Sequence, residues 1–138
     1  MPVQLPGLVR AVFSVGIGLI VSQGVVSAEE RFESSLQAQG DALMKNVEDM
    51  LAHGGMGDAK AIVHHCEEAT HYAETLKRLS EPDPMLQAPL NEVIRQCRRV
   101  SQISIHADPG LLLNPAIKAR AAARESLKAL GLTRTNKN

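Results

Sequence analysis

Nine consecutive residues, His64 to Tyr72 (HHCEEATHY), hold three of the five histidines, one of the two cysteines and two glutamates of this 138-residue chain. Imidazole with carboxylate suits divalent copper, nickel or zinc, whereas a thiol suits softer ions or a disulfide. Spacing decides which of these groups act together. His64 and Glu68 are four residues apart, as are Glu67 and His71. His64 and Glu67, and likewise Glu68 and His71, are three apart. On a helix, side chains at these separations share a face. His64, Glu67, Glu68 and His71 thus form an outward ladder where a metal ion could land, water completing its coordination. The same ladder serves equally as a solvated face, its pairs stabilising the helix by about 0.2–0.5 kcal/mol each.

The helix that must carry this ladder is amphipathic. At about 100° per residue, Ala59, Ile62, Cys66, Ala69, Ala73 and Leu76 share its apolar face, with Cys66 near the middle. His65 and Tyr72 lie one heptad apart on a shoulder of that face. A histidine at such a boundary also has a plain structural use, as a hydrogen-bond partner for a neighbour. His53 and His106, each expected near a helix C-terminus, also suit the dipole there as cations.

The second cysteine, Cys97, falls on another apolar face with Leu90, Val93, Ile94, Val100 and Ile105. Cys66 and Cys97 are equidistant from the gap between Glu81 and Pro82 in the turn SEPDP. In an antiparallel helical hairpin such residues lie level, so the thiols are expected to face each other. A disulfide is the first expectation for an exported chain with two cysteines, worth about 3.5 kcal/mol in the chain-entropy model. Two separate core thiols and, third, a Cu(I) site are the alternatives. Neither a C-x-x-C exchange motif nor the C-x-x-C-H of c-type haem attachment is present.

Export is expected from the first 28 residues, MPVQLPGLVRAVFSVGIGLIVSQGVVSA. One arginine, an apolar run from Ala11 to Val21 and the small residues Ser27 and Ala28 have the anatomy of a secretory signal peptide cleaved after Ala28. A spanning anchor wants about 20 apolar residues, and this run is broken by Ser14, Gly16 and Gly18. The expected location is periplasmic or secreted, without stable membrane insertion after cleavage. A net charge of zero gives no reason to expect nucleic acid. Charge is nonetheless polarised: 13 acidic and 5 basic residues from Glu29 to Glu92, then 2 acidic and 9 basic from Val93 to Asn138. An acidic, histidine-rich half favours cations; the two halves also suit each other within the fold.

Four helices are expected over residues 29–131, followed by a flexible tail at 132–138. The first spans about Glu29–His53, its stripe Phe32, Leu36, Leu43, Val47 and Met50. HGGMG should end it, with Gly54 and Gly55 taking left-handed conformations. The second spans about Asp58–Ser80. The third begins at Pro84 or Pro89 and reaches about His106. ADPGLLLNP reads as a connection, and the fourth helix opens with Asn114 as cap and Pro115 as first residue, ending at Gly131. Ala116, Ala119, Ala123, Leu127 and Leu130 face inward. Four such helices with short connections predict an all-α, up-down-up-down four-helix bundle.

The stretch AHGGMGDAKAIVHHCEEATHYAE, Ala52 to Glu74, resembles the periplasmic small metal-binding proteins (the SmbP-like family), short exported His-rich bundles whose repeat joins HGxxG to a helix with HAEEAxxHA. His53, Gly54 and Gly57 match the turn; His65, Glu67, Glu68, Ala69 and Ala73 match the helix. Tyr72 stands where that pattern has its second helix histidine, and the likeness covers the first hairpin only. The resemblance implies binding of copper and other divalent metals, in a buffering role, through His53 and His65 with Glu68 nearby.

The functional expectation is therefore an exported protein that binds divalent metal, Cu(II) first and Zn(II) or Ni(II) next, through His53, His64, His65, Glu68 and His71. No catalytic constellation is displayed. The alternative is a structural or protein-interaction bundle held by a Cys66–Cys97 disulfide. Haem binding ranks third, since an aromatic-poor core suits it badly.

Overall fold

The computed structural model describes residues 27–80, 83–103 and 106–132. The signal segment expected at 1–28 lies outside these residues except for Ser27 and Ala28, as does the expected tail except for Leu132. The described chain is an all-α four-helix bundle: α1 (Ala28–Gly55), α2 (Ala59–Leu79), α3 (Pro84–Gln102) and α4 (Pro109–Ala129). Each helix packs on its chain neighbours, and α4 closes on α1; across the diagonal, α2 and α4 only touch.

Each start has a local cause. Ser27 caps α1 in a reciprocal box with Glu30, and Asp58, Asp83 and Asp108 cap the other three helices with their carboxylates. Cleavage after Ala28 would remove Ser27 and so this first cap. The buried residues of α2 are Ala59, Ile62, Cys66, Ala69, Ala73 and Leu76, the six placed on its apolar face by periodicity. α1 buries Gly40, Leu43, Val47, Met50 and Gly54. Phe32, assigned to the same stripe, is exposed. α1 has 28 residues against 21 in α2 and α4, so its first turns overhang the bundle.

Three boundaries differ from expectation. α4 begins at Pro109 behind Asp108, so LLLNP is helix and not connection, and Pro115 lies inside it. A proline there forfeits a backbone hydrogen bond. Burial of Leu112, and the packing of Leu113 against Gly54 of α1, offset that loss. α3 starts at Pro84, with Pro89 interior, and stops at Gln102, short of His106. Finally, Gly54 and Gly55 remain helical; Gly57 is the left-handed residue, at φ +77°.

Small residues set the α1–α4 spacing. A Cβ on Gly40 would lie 2.6 Å from Leu127 Cδ2, and one on Gly54 would collide with Leu113 Cδ2. α4 itself buries the small residues Ala116, Ala119 and Ala123. Charge joins the same pair of helices: Glu48 accepts from Arg120 at 3.2 Å and from Arg124 at 2.7 Å. Partial burial works against the Glu48 carboxylate, but the two arginines outweigh it and hold its pKa below the ordinary value. The acidic and basic halves of the chain thus meet within the fold.

Candidate functional site

The turn between α1 and α2 fixes the register of the histidines. Asp58 N–H donates to His53 C=O at 3.0 Å and Gly57 N–H to Gly54 C=O at 3.1 Å, a Schellman closure around left-handed Gly57. Asp58 then caps α2 through its side chain to Ala61 N–H at 2.9 Å. One aspartate thus ends one helix and starts the next. The result sets His53, in the last turn of α1, beside His65 of α2.

The two rings stack, centroids 5.1 Å apart and planes 21° from parallel. His64 tilts against His65 at 5.3 Å and 53°. Asn46, two turns before His53 on α1, reaches the same ring. Its Nδ2 donates to Ala42 C=O at 3.0 Å, which fixes the orientation of the amide. Oδ1 then faces His65 Nδ1 at 3.0 Å and accepts its proton. The neutral His65 ring therefore carries its lone pair on Nε2. Burial lowers the His65 pKa, and His53, His64 and Lys45 push the same way against Asp49, so the ring is neutral at pH 7.

His53 has the opposite condition. Its Nδ1 is buried without a hydrogen-bond partner. An orphaned polar atom in a native structure asks for an explanation, an ion among them. Asp49 supplies the local negative charge: Lys45 hydrogen-bonds it and holds its pKa down, with His65 and His53 adding in the same direction. Two imidazoles and a carboxylate from two helices therefore sense one another. Stacked planes cannot aim in-plane lone pairs at one point, so a ring must rotate before His53 and His65 share an ion. Consistent with this, no three of His, Cys, Asp and Glu among the described residues converge on one ion as they stand.

The outward ladder is less assembled. His64 and His71 are exposed and Glu68 half-buried. The ring beside His71 is that of Tyr72, edge-on at 5.5 Å and 72°. The structure thus brings His53, His64 and His65 together, while His71 turns to another neighbour. The carboxylate that acts on His65 is Asp49 of α1, where the resemblance had pointed to Glu68. Sequence reading missed both Asn46 and Asp49. Their signal was present: Asn46, Asp49 and His53 fall at i, i+3 and i+7, one stripe of α1.

Cys66 and Cys97 are both buried, on α2 and α3, as free thiols; the expected bond between them is not formed. Cys66 Sγ instead donates to Met50 Sδ at 3.2 Å. The adjacent Cys97 thiol and burial push the Cys66 pKa far up, so it stays protonated.

No family model, curated protein or solved structure matches the chain. Its function therefore rests on its own residues.

Proposed function

We propose that the protein binds divalent metal at the α1–α2 seam, Cu(II) in first place and Zn(II) or Ni(II) after it, as an exported buffer of metal ions. His53 and His65 are the principal ligands and Asp49 the carboxylate. His64 stands ready at the rim; Glu68 and His71 offer weaker outer positions. The single observation that carries this reading is the orphaned Nδ1 of His53 beside a His65 whose tautomer leaves Nε2 available. Asn46 acts as the outer partner that orients a ligating imidazole. Neutral imidazoles are the form a metal requires, and Cu(II) leads the divalent series for such donors. The resemblance of Ala52–Glu74 to the small metal-binding proteins, with His53 and His65 at the matching positions, supports the same site. Catalysis is not part of the proposal.

Electron paramagnetic resonance of the Cu(II)-loaded protein tests it. Nitrogen hyperfine structure from two imidazoles is expected, reduced to one or none in His53→Ala and His65→Ala. A spectrum identical in wild type and both variants would reject the seam as the site.

A further inference from the structure

Three sulfur-bearing side chains from three helices lie together in the core of the bundle: Met50 of α1, Cys66 of α2 and Cys97 of α3. Their relative exposures are 0%, 0% and 1%. Cys66 Sγ donates to Met50 Sδ at 3.2 Å, and the Cys97 thiol is near enough to Cys66 to raise its pKa. All three belong to the core cluster, among Leu43, Val47, Ile62, Val93 and Val100. From these positions we infer a second metal site, distinct from the histidine seam: a three-coordinate Cu(I) centre with Cys66 and Cys97 as thiolates and Met50 as thioether.

The donor chemistry selects the ion. Thiolate and thioether are soft ligands, matched to Cu(I) and poorly matched to hard divalent ions. Zinc with cysteine ligands takes four donors. Among the described residues no His, Asp or Glu joins the two cysteines to form such a group. Bundle cores accommodate metals in this way, with ligands contributed by facing helices. Hydrocarbon around the centre excludes water and oxidants, which keeps copper in its lower state.

The balance is simple. Cu(I) binds, two S–H bonds break, two Cu–S thiolate bonds and one Cu–S thioether bond form, and two protons leave to solvent. No electron is transferred. The unit carries one net negative charge in an apolar core, and the two protons make affinity steeply dependent on pH. Entry requires opening of the bundle, so loading is slow compared with that of the surface histidines.

The test uses protein expressed from the full chain, reduced, freed of reductant under anaerobic conditions and titrated with Cu(I) buffered by bathocuproine disulfonate. One Cu(I) per chain is expected, with a sulfur-to-copper charge-transfer band in the near ultraviolet. Affinity should rise by up to about 100-fold per pH unit, ten for each proton released. Cys66→Ser and Cys97→Ser should abolish uptake. Met50→Leu, close in volume and free of the cysteine changes, should keep the helical circular dichroism of the wild type and weaken uptake about tenfold or more. His53→Ala with His65→Ala should leave Cu(I) uptake unchanged, which separates this site from the proposed divalent one. The inference is overturned if the reduced protein leaves all copper with the chelator. It is equally overturned if uptake survives Met50→Leu at full affinity, falls with the histidine pair, or gives way to a Cys66–Cys97 disulfide formed in its place.

Discussion

Asn46 and His65 meet at 3.0 Å across the α1–α2 seam, and the hydrogen bond sets which nitrogen of the imidazole carries the proton. The amide is itself held by Ala42 C=O, so a backbone carbonyl of α1 dictates the tautomer of a ring on α2. Everything proposed for the seam depends on that relay.

Replacing Asn46 with Leu removes the acceptor while preserving size. The ring of His65 then loses its fixed tautomer and orientation. Divalent metal affinity should fall about 10- to 100-fold, the usual effect of losing such a partner. Far-ultraviolet circular dichroism should be unchanged. Undiminished Cu(II) affinity in Asn46→Leu would show that the relay is irrelevant to binding.

Acid should release the metal and loosen the seam together. The folded pKa of His65 lies below its ordinary value of 6.5, burial being the leading cause. The unfolded chain therefore takes up a proton before the folded one as pH falls. The stability contributed by neutral His65 is complete above the unfolded value and is lost as pH drops from there through the folded value. Denaturant titrations at stepped pH should show this loss in the wild type and not in His65→Ala. A wild-type protein whose stability is flat across that window contradicts the assignment.

Glu48 should behave in the same sense, in a more acidic range. Its pKa is depressed, burial opposing and the arginines prevailing, so its contribution is present above the unfolded value and lost as pH falls through the folded one. Its arginine partners are partly exposed, so Glu48→Gln should cost no more than about 1 kcal/mol near neutrality. The difference from wild type should vanish in acid. High salt should shrink it as well.

Two glycines of HGGMG should respond with opposite sign. Gly57 has φ +77° and open space around its missing side chain, so Gly57→Ala introduces backbone strain of about 1–2 kcal/mol. Gly55 is helical and equally open, so Gly55→Ala should stabilise by up to about 1 kcal/mol. Thermal unfolding of the two variants compares them directly. A destabilised Gly55→Ala would mean that the turn is tighter than this geometry.

Much of the bundle was legible because burial follows period. The six buried residues of α2 emerge from apolar spacing alone, and burial of both Cys66 and Cys97 follows from the apolar faces they share. The start of α4 was not legible. Asp108-Pro109 and Asn114-Pro115 carry the same cap-and-proline chemistry, and local sequence does not rank them. Tertiary contact does, through buried Leu112 and through Leu113 against Gly54. The seam was half legible. The ladder from His64 to His71 is visible along one helix, but Asn46 and Asp49 act on His65 from another. Periodicity assigns faces and does not say which faces meet. Glycine was misread for a related reason: Gly54 matters because α4 approaches it closely, a fact about packing and not about turns.

Calorimetric titration of the metal-free, tag-free protein with Cu(II) tests the central claim most directly. Binding tighter than about 100 μM, or roughly −5.5 kcal/mol, is expected in the wild type. It should be lost on changing His53 and His65 together to Ala, and largely retained on changing His71. Binding weaker than that threshold, or binding indifferent to His53 and His65, would contradict the account.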